Sequence, residues 1–146
     1  MGFTYKFAKL LELRESEKEN QALVYEKAVQ RFKEVAEKLY ELLKKKEALE
    51  SYQHEKIRTG IQVHEIRFHQ KYLMNLQKEI DHYQNLVIQA RHHMQFEEKR
   101  LMDKNIEVKK FEKLKDKEYE KYLRERVVEE TKVMDEICTQ IVVREK

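Results

Sequence analysis

The sequence predicts an all-α protein: a long two-helix antiparallel coiled-coil hairpin whose second helix overhangs at the C-terminus. Three observations predict it. Pro is absent and Gly occurs only twice in 146 residues, whereas globular domains average about 5% and 7% of these turn-makers. Charged residues fill 40% of the chain, yet the net charge is only +3. The apolar residues recur at alternating steps of four and three, the seam of a coiled coil. A multi-strand sheet, a barrel and a dinucleotide-binding fold are excluded. Full disorder is disfavoured, because the charges nearly cancel and aromatics supply 10% of residues.

The chain reads as one coiled-coil domain over residues 1–146, with a helix over about 3–55, a bend over about 56–62 and a helix over about 63–143. In the first helix one row of seven-residue steps is Phe7, Arg14, Gln21, Ala28, Val35, Leu42 and Leu49. Its companion is Leu11, Lys18, Tyr25, Phe32, Leu39 and Lys46. The bend rests on Gly60, the only internal Gly, which suits the left-handed residue that ends a helix. The second helix carries seven successive apolar residues at the heptad step: Ile66, Leu73, Ile80, Val87, Met94, Leu101 and Val108. Its companion row, His69, Leu76, Tyr83, Ala90, Glu97, Lys104 and Phe111, is more polar.

An antiparallel register in which paired residue numbers sum to 122 folds the chain beside Gly60. It layers Leu42 on Ile80, Leu39 on Tyr83, Val35 on Val87 and Leu11 on Phe111, and large residues meet small ones at Phe32–Ala90 and Ala28–Met94. A sum of 115 also preserves the heptad but puts the bend inside helical sequence. In the preferred register the middle of the seam is polar, through Arg14, Lys18, Gln21, Glu97 and Lys104, and is expected to be weakly held. Pairing ends where Phe3 meets Tyr119. The remaining residues would extend roughly 40 Å as helix. They carry an apolar stripe of Leu123, Val127, Met134, Ile137 and Ile141, out of phase with the earlier seam. An unpaired stripe of this kind calls for a partner chain.

Chemistry has no visible home in the sequence, and the expectation is a protein without catalytic activity, cofactor or bound metal. There is no Gly-rich phosphate loop. His64 and His69 resemble a zincin pair but are one residue too far apart to share a helix face. Lys44, Lys45 and Lys46 lie among acidic residues, so nucleic acid is not an expected partner. A mixed-charge surface argues against strong membrane binding by this chain alone, and no direct membrane insertion is expected. The single Cys138 suits a reducing compartment, and no signal peptide is visible, which points to the cytoplasm.

Three runs carry a resemblance: Phe7-Ala8-Lys9-Leu10-Leu11-Glu12-Leu13-Arg14-Glu15, Val35-Ala36-Glu37-Lys38-Leu39, and Tyr72-Leu73-Met74-Asn75-Leu76-Gln77-Lys78-Glu79-Ile80 after Gly60. With the length and the hairpin pattern, they resemble the flagellar export protein family FliJ over nearly the whole chain. The resemblance implies a non-enzymatic component of the flagellar type III export apparatus, peripheral on the cytoplasmic side of the cell membrane at the flagellar base. It further implies a central stalk and assembly factor for the hexameric export ATPase FliI, a link to the export gate protein FlhA, and contacts with export chaperones. For the ATPase, the candidate residues are Leu10 and Leu13, which lie off the seam, with Leu123, Val127, Met134, Ile137 and Ile141. For the gate, Tyr72, Leu76, Glu79 and Tyr83 fall in the segment resembling the family's gate-binding region. Leu76 faces Lys46 in the preferred register and is expected to be only partly covered; Leu76 and Tyr83 also read as plain seam residues. Two further readings share this architecture: the stalk of a virulence-type secretion system, and a scaffold that self-associates through residues 120–146.

Overall fold

The computed structural model describes residues 2–145. Two helices account for nearly all of them: α1, Ala8–Thr59, and α2, Val63–Glu145, with no strand among the described residues. They pack against each other as an all-α hairpin. None of the residues in the four heptad rows is exposed, so the seam frame read from spacing is the frame that buries. Two compact units divide the chain, one of residues 21–101 and one of residues 1–20 with 102–146.

The unit of residues 21–101 contains the turn. Gly60 adopts φ 102°, a conformation that a Cβ disfavours, which is why the chain reverses at its one internal glycine. The Thr59 hydroxyl donates to the carbonyls of Glu55 and Lys56 at 3.2 and 3.3 Å, satisfying acceptors that the end of α1 leaves open. On the far side the amides of Glu65 and Ile66 donate to the Gln62 carbonyl at 3.1 and 3.2 Å and start α2. Above the turn, Leu42, Leu76 and Ile80 form a buried cluster flanked by Leu39 and Tyr83. Leu42 with Ile80 in this cluster is a layer of the 122 register. Burying each such aliphatic side chain contributes roughly 1.5–3 kcal/mol. At the opposite end of this unit the seam turns polar but closed. Gln21 is 5% exposed and Glu97 4%, and the Gln21 side-chain amide donates to the Glu97 carboxylate and, at 3.1 Å, to its backbone carbonyl.

The other unit is held by aromatics. Residues 2–7 precede the helix, and Tyr5, Leu11 and Val108 form a buried cluster with Phe3, Phe7 and Phe111 packed around it. The Tyr5 hydroxyl donates to the Phe111 carbonyl at 2.9 Å. Burial, and then the negative charge of Glu118, hold that phenol above its ordinary range. The Phe3 ring meets Tyr119 edge-on at 5.2 Å and Tyr122 at 5.5 Å, so pairing ends where the register requires. Between the aromatics and residue 20 lies a charged layer. Glu17 accepts from Arg14 at 3.1 Å and from Lys104 at 3.4 Å. The Arg14 hydrogen bond, helped by Lys104 and opposed by partial burial, holds the Glu17 carboxyl below its usual range.

Candidate protein-docking surfaces

Past Tyr122 every described residue of α2 is exposed, including Leu123, Val127, Met134, Ile137 and Ile141. A helix turns roughly 100° per residue, so these five side chains share one face, all within about 40° of its mean direction. The seam face of the same unit is marked by Val108, Phe111, Glu118 and Tyr122, which are buried or half-buried. By the same helical step, the stripe is turned roughly 100° away from that seam. The slip of frame within residues 112–122 therefore changes which side of α2 is apolar. It does not extend the surface that packs on α1.

Four polar side chains on this segment are occupied locally. The hydroxyls of Thr131 and Thr139 donate back to the carbonyls of Val127 and Asp135 at 2.9 and 2.8 Å. Arg126 pairs with Glu130 at 3.5 Å, and a shallow groove runs between them and Glu129, Val133 and Met134. What the face offers is apolar area with a charged rim, the composition of a protein-docking surface. In the same unit Leu10 is half-buried and Leu13 is exposed, so Leu13 is the more available of the two.

The candidate residues beyond the turn separate into two kinds. Tyr72 and Glu79 are exposed and Tyr83 is half-buried. Leu76, expected to be only partly covered, is 6% exposed and belongs to the Leu42–Ile80 cluster. The reason is geometric. In a coiled coil each knob enters a hole made by four residues of the facing helix, so Leu76 is covered by Leu42, one turn along from Lys46. An open apolar groove does lie close by, lined by Lys45, Ala48, Leu49, Tyr52, Phe68, His69 and Tyr72. Tyr52 and His69 meet across it at 5.5 Å. Phe68 and Tyr52 escaped the reading of the sequence because both lie off the heptad rows; the step of four from Phe68 to Tyr72 is the signal that could have found them.

Among the described residues no group of three or more His, Cys, Asp or Glu could hold a metal. No described helix is long and apolar enough to cross a membrane.

Comparison with known proteins agrees with a protein of this design. The family model described as Flagellar FliJ protein matches residues 3–146. The Flagellar FliJ protein of Bacillus subtilis (strain 168) is 44% identical over 137 residues, covering 94% of this chain and 93% of the relative. No solved structure matches the chain.

Proposed function

The chain belongs to the flagellar FliJ protein family, a flagellar export component, and on that premise we propose that it is the stalk and assembly factor of the hexameric export ATPase FliI. In this reading it also ties the ATPase to the export gate protein FlhA and to export chaperones, from a peripheral position on the cytoplasmic side of the membrane. The observation that carries the reading is the uncovered helical stripe from Leu123 to Ile141. It is apolar, it is rimmed by charge, and no described residue of its own unit covers it. With Leu13 and Leu10 it supplies the contact that a ring would grip. The exposed Tyr72 and Glu79, with Tyr83 at their edge, are the surface offered to the gate; Leu76 supports that surface from within the seam. The flagellar relatives favour this over a virulence-type stalk.

The test is the double variant Val127→Asp, Met134→Asp. Burying either aliphatic contributes roughly 1.5–3 kcal/mol, and an unpaired carboxylate in a dry contact reverses that gain. Stimulation of purified FliI and assembly of its ring should fall at least about tenfold, with the helical circular dichroism unchanged. If stimulation persists while self-association seen by analytical ultracentrifugation disappears, the stripe is a dimer surface and the scaffold reading replaces the stalk.

A further inference from the structure

Charge is unevenly distributed along the chain. Between Lys56 and Tyr72 stand four cations, Lys56, Arg58, Arg67 and Lys71, against one carboxylate, Glu65. Removing these from the totals of 31 basic and 28 acidic residues leaves 27 of each. That local excess equals the net charge of the whole chain, and residues 104–117 carry another of the same size, six cations against three carboxylates. Lys56 and Arg58 occupy the last turn of α1, where cations complement the helix dipole. Arg67 and Lys71 lie near the start of α2, where that dipole gives a cation no advantage. Lys56 lies over the Tyr52 ring at 5.7 Å. Arg58, Arg67 and Lys71 are exposed, and no described carboxylate stands within ion-pair reach of them.

The same segment exposes apolar side chains that a solvated turn does not need. Phe68 is 70% exposed, Val63 67% and Ile57 63%. Ile57 and Val63 stand three residues to either side of Gly60. Phe68 lies five residues into α2, roughly 7.5 Å along its axis. Interfacial segments bury their apolar side chains about 5–10 Å into the boundary between headgroups and acyl chains. Unpaired cations interleaved with short apolar side chains over that depth match an anionic bilayer surface. A nucleic acid would use the cations but not the aliphatics, and a neutral protein groove would use the aliphatics but not the cations.

We propose that the turn, residues 56–71, is a lipid-contact device that rests on the surface of an anionic bilayer without crossing it. The charge balance of the full sequence argued against membrane binding because it averages a basic turn with acidic stretches elsewhere. This goes beyond the adaptor reading and stands whether or not the ATPase is the partner of residues 123–141.

The experiment is vesicle flotation of the full-length protein with equal parts phosphatidylcholine and phosphatidylglycerol, against phosphatidylcholine alone, at low salt. Each basic side chain at an anionic surface adds roughly fivefold to partitioning. The variant Arg58→Gln, Arg67→Gln, Lys71→Gln should therefore bind phosphatidylglycerol vesicles roughly a hundredfold more weakly. A second variant, Val63→Gln, Phe68→Gln, keeps every charge and should lose roughly tenfold. The control Lys109→Gln, Lys110→Gln, Lys113→Gln removes the same charge elsewhere and should stay within a fewfold of the parent. The proposal is overturned if the parent does not float with phosphatidylglycerol, or if the control loses as much as the turn variant. It is equally overturned if the turn variant floats like the parent but no longer captures the export gate protein, which would make the patch a protein site.

Discussion

Gln21 and Glu97 put a hydrogen-bonded polar pair where the heptad calls for apolar side chains, and the energetics of that pair are open to a sharp test. Replacing Gln21 by Leu removes the amide that donates to the Glu97 carboxylate and carbonyl. The carbonyl keeps its helical partner. The carboxylate, on a residue only 4% exposed, is left with Arg100 at 3.9 Å, whose own side chain is about half exposed. Hydrogen bonds to charged groups contribute about 1.5–3 kcal/mol, and stranding the charge costs that much again where water cannot return. Burial of the new Leu offsets part of the loss, so a net destabilisation of about 2 kcal/mol follows, or roughly 4–8 °C in Tm for a chain of this size. The double variant Gln21→Leu, Glu97→Leu should recover parental stability or exceed it, because an apolar layer carries no desolvation penalty. Thermal unfolding by far-UV circular dichroism reads both. The double variant should also loosen register. Cysteines at Val35 and Val87, in a Cys138→Ser background, crosslink within one chain in the 122 register, and cysteines at Val35 and Ile80 report the 115 register. The second crosslink should appear only once the polar pair is gone. A single variant as stable as the parent, or a double variant less stable than the single, would refute the argument.

The remaining predictions concern the turn and the charged layer. Gly60→Ala places a Cβ in open space but at φ 102°, so its cost is purely conformational, about 1–2 kcal/mol; urea unfolding should show a lower midpoint with an unchanged slope. Glu17 has a folded pKa below its ordinary value of 4.5. Its contribution is therefore complete above the unfolded value and is lost as pH falls through the lower, folded one. Glu17→Gln should flatten that part of the acid-side loss of Tm and leave the profile above neutrality parallel to the parent's.

The hairpin was legible because a coiled coil writes its packing into a single repeat. Once Ile66 through Val108 supply seven apolar residues at one step, only the place of reversal and the register remain open, and Gly60 settles the first. The 122 register follows from it and reappears in the Leu42–Ile80 cluster and the Phe3–Tyr119 contact. What spacing does not reveal is the strength of a polar layer. Gln21 and Glu97 read as a weak stretch, yet they are among the least exposed residues because the amide and the carboxylate satisfy each other. Nor does spacing reveal three-dimensional cover. Pairing Leu76 with Lys46 treats the seam as a ladder of rungs, whereas knobs enter holes and a residue one turn away closes over it. Phe68 and Tyr52 were invisible for the complementary reason: they belong to no row, and only folding brings them to one groove.

The overhanging stripe illustrates how a shift of frame carries functional meaning. Had the apolar row continued in phase past Phe111, the exposed end of α2 would have presented the same face that packs on α1. Any partner would then compete with the N-terminal aromatics for it. The slip turns the stripe roughly 100° from the seam. Phe3 and Tyr5 can keep Tyr122 and Phe111 half-buried while Leu123, Val127, Met134, Ile137 and Ile141 stay open on another side. Closure of the hairpin and engagement of a partner are thus separate events on separate faces. A substitution on the stripe should therefore weaken docking without loosening the fold.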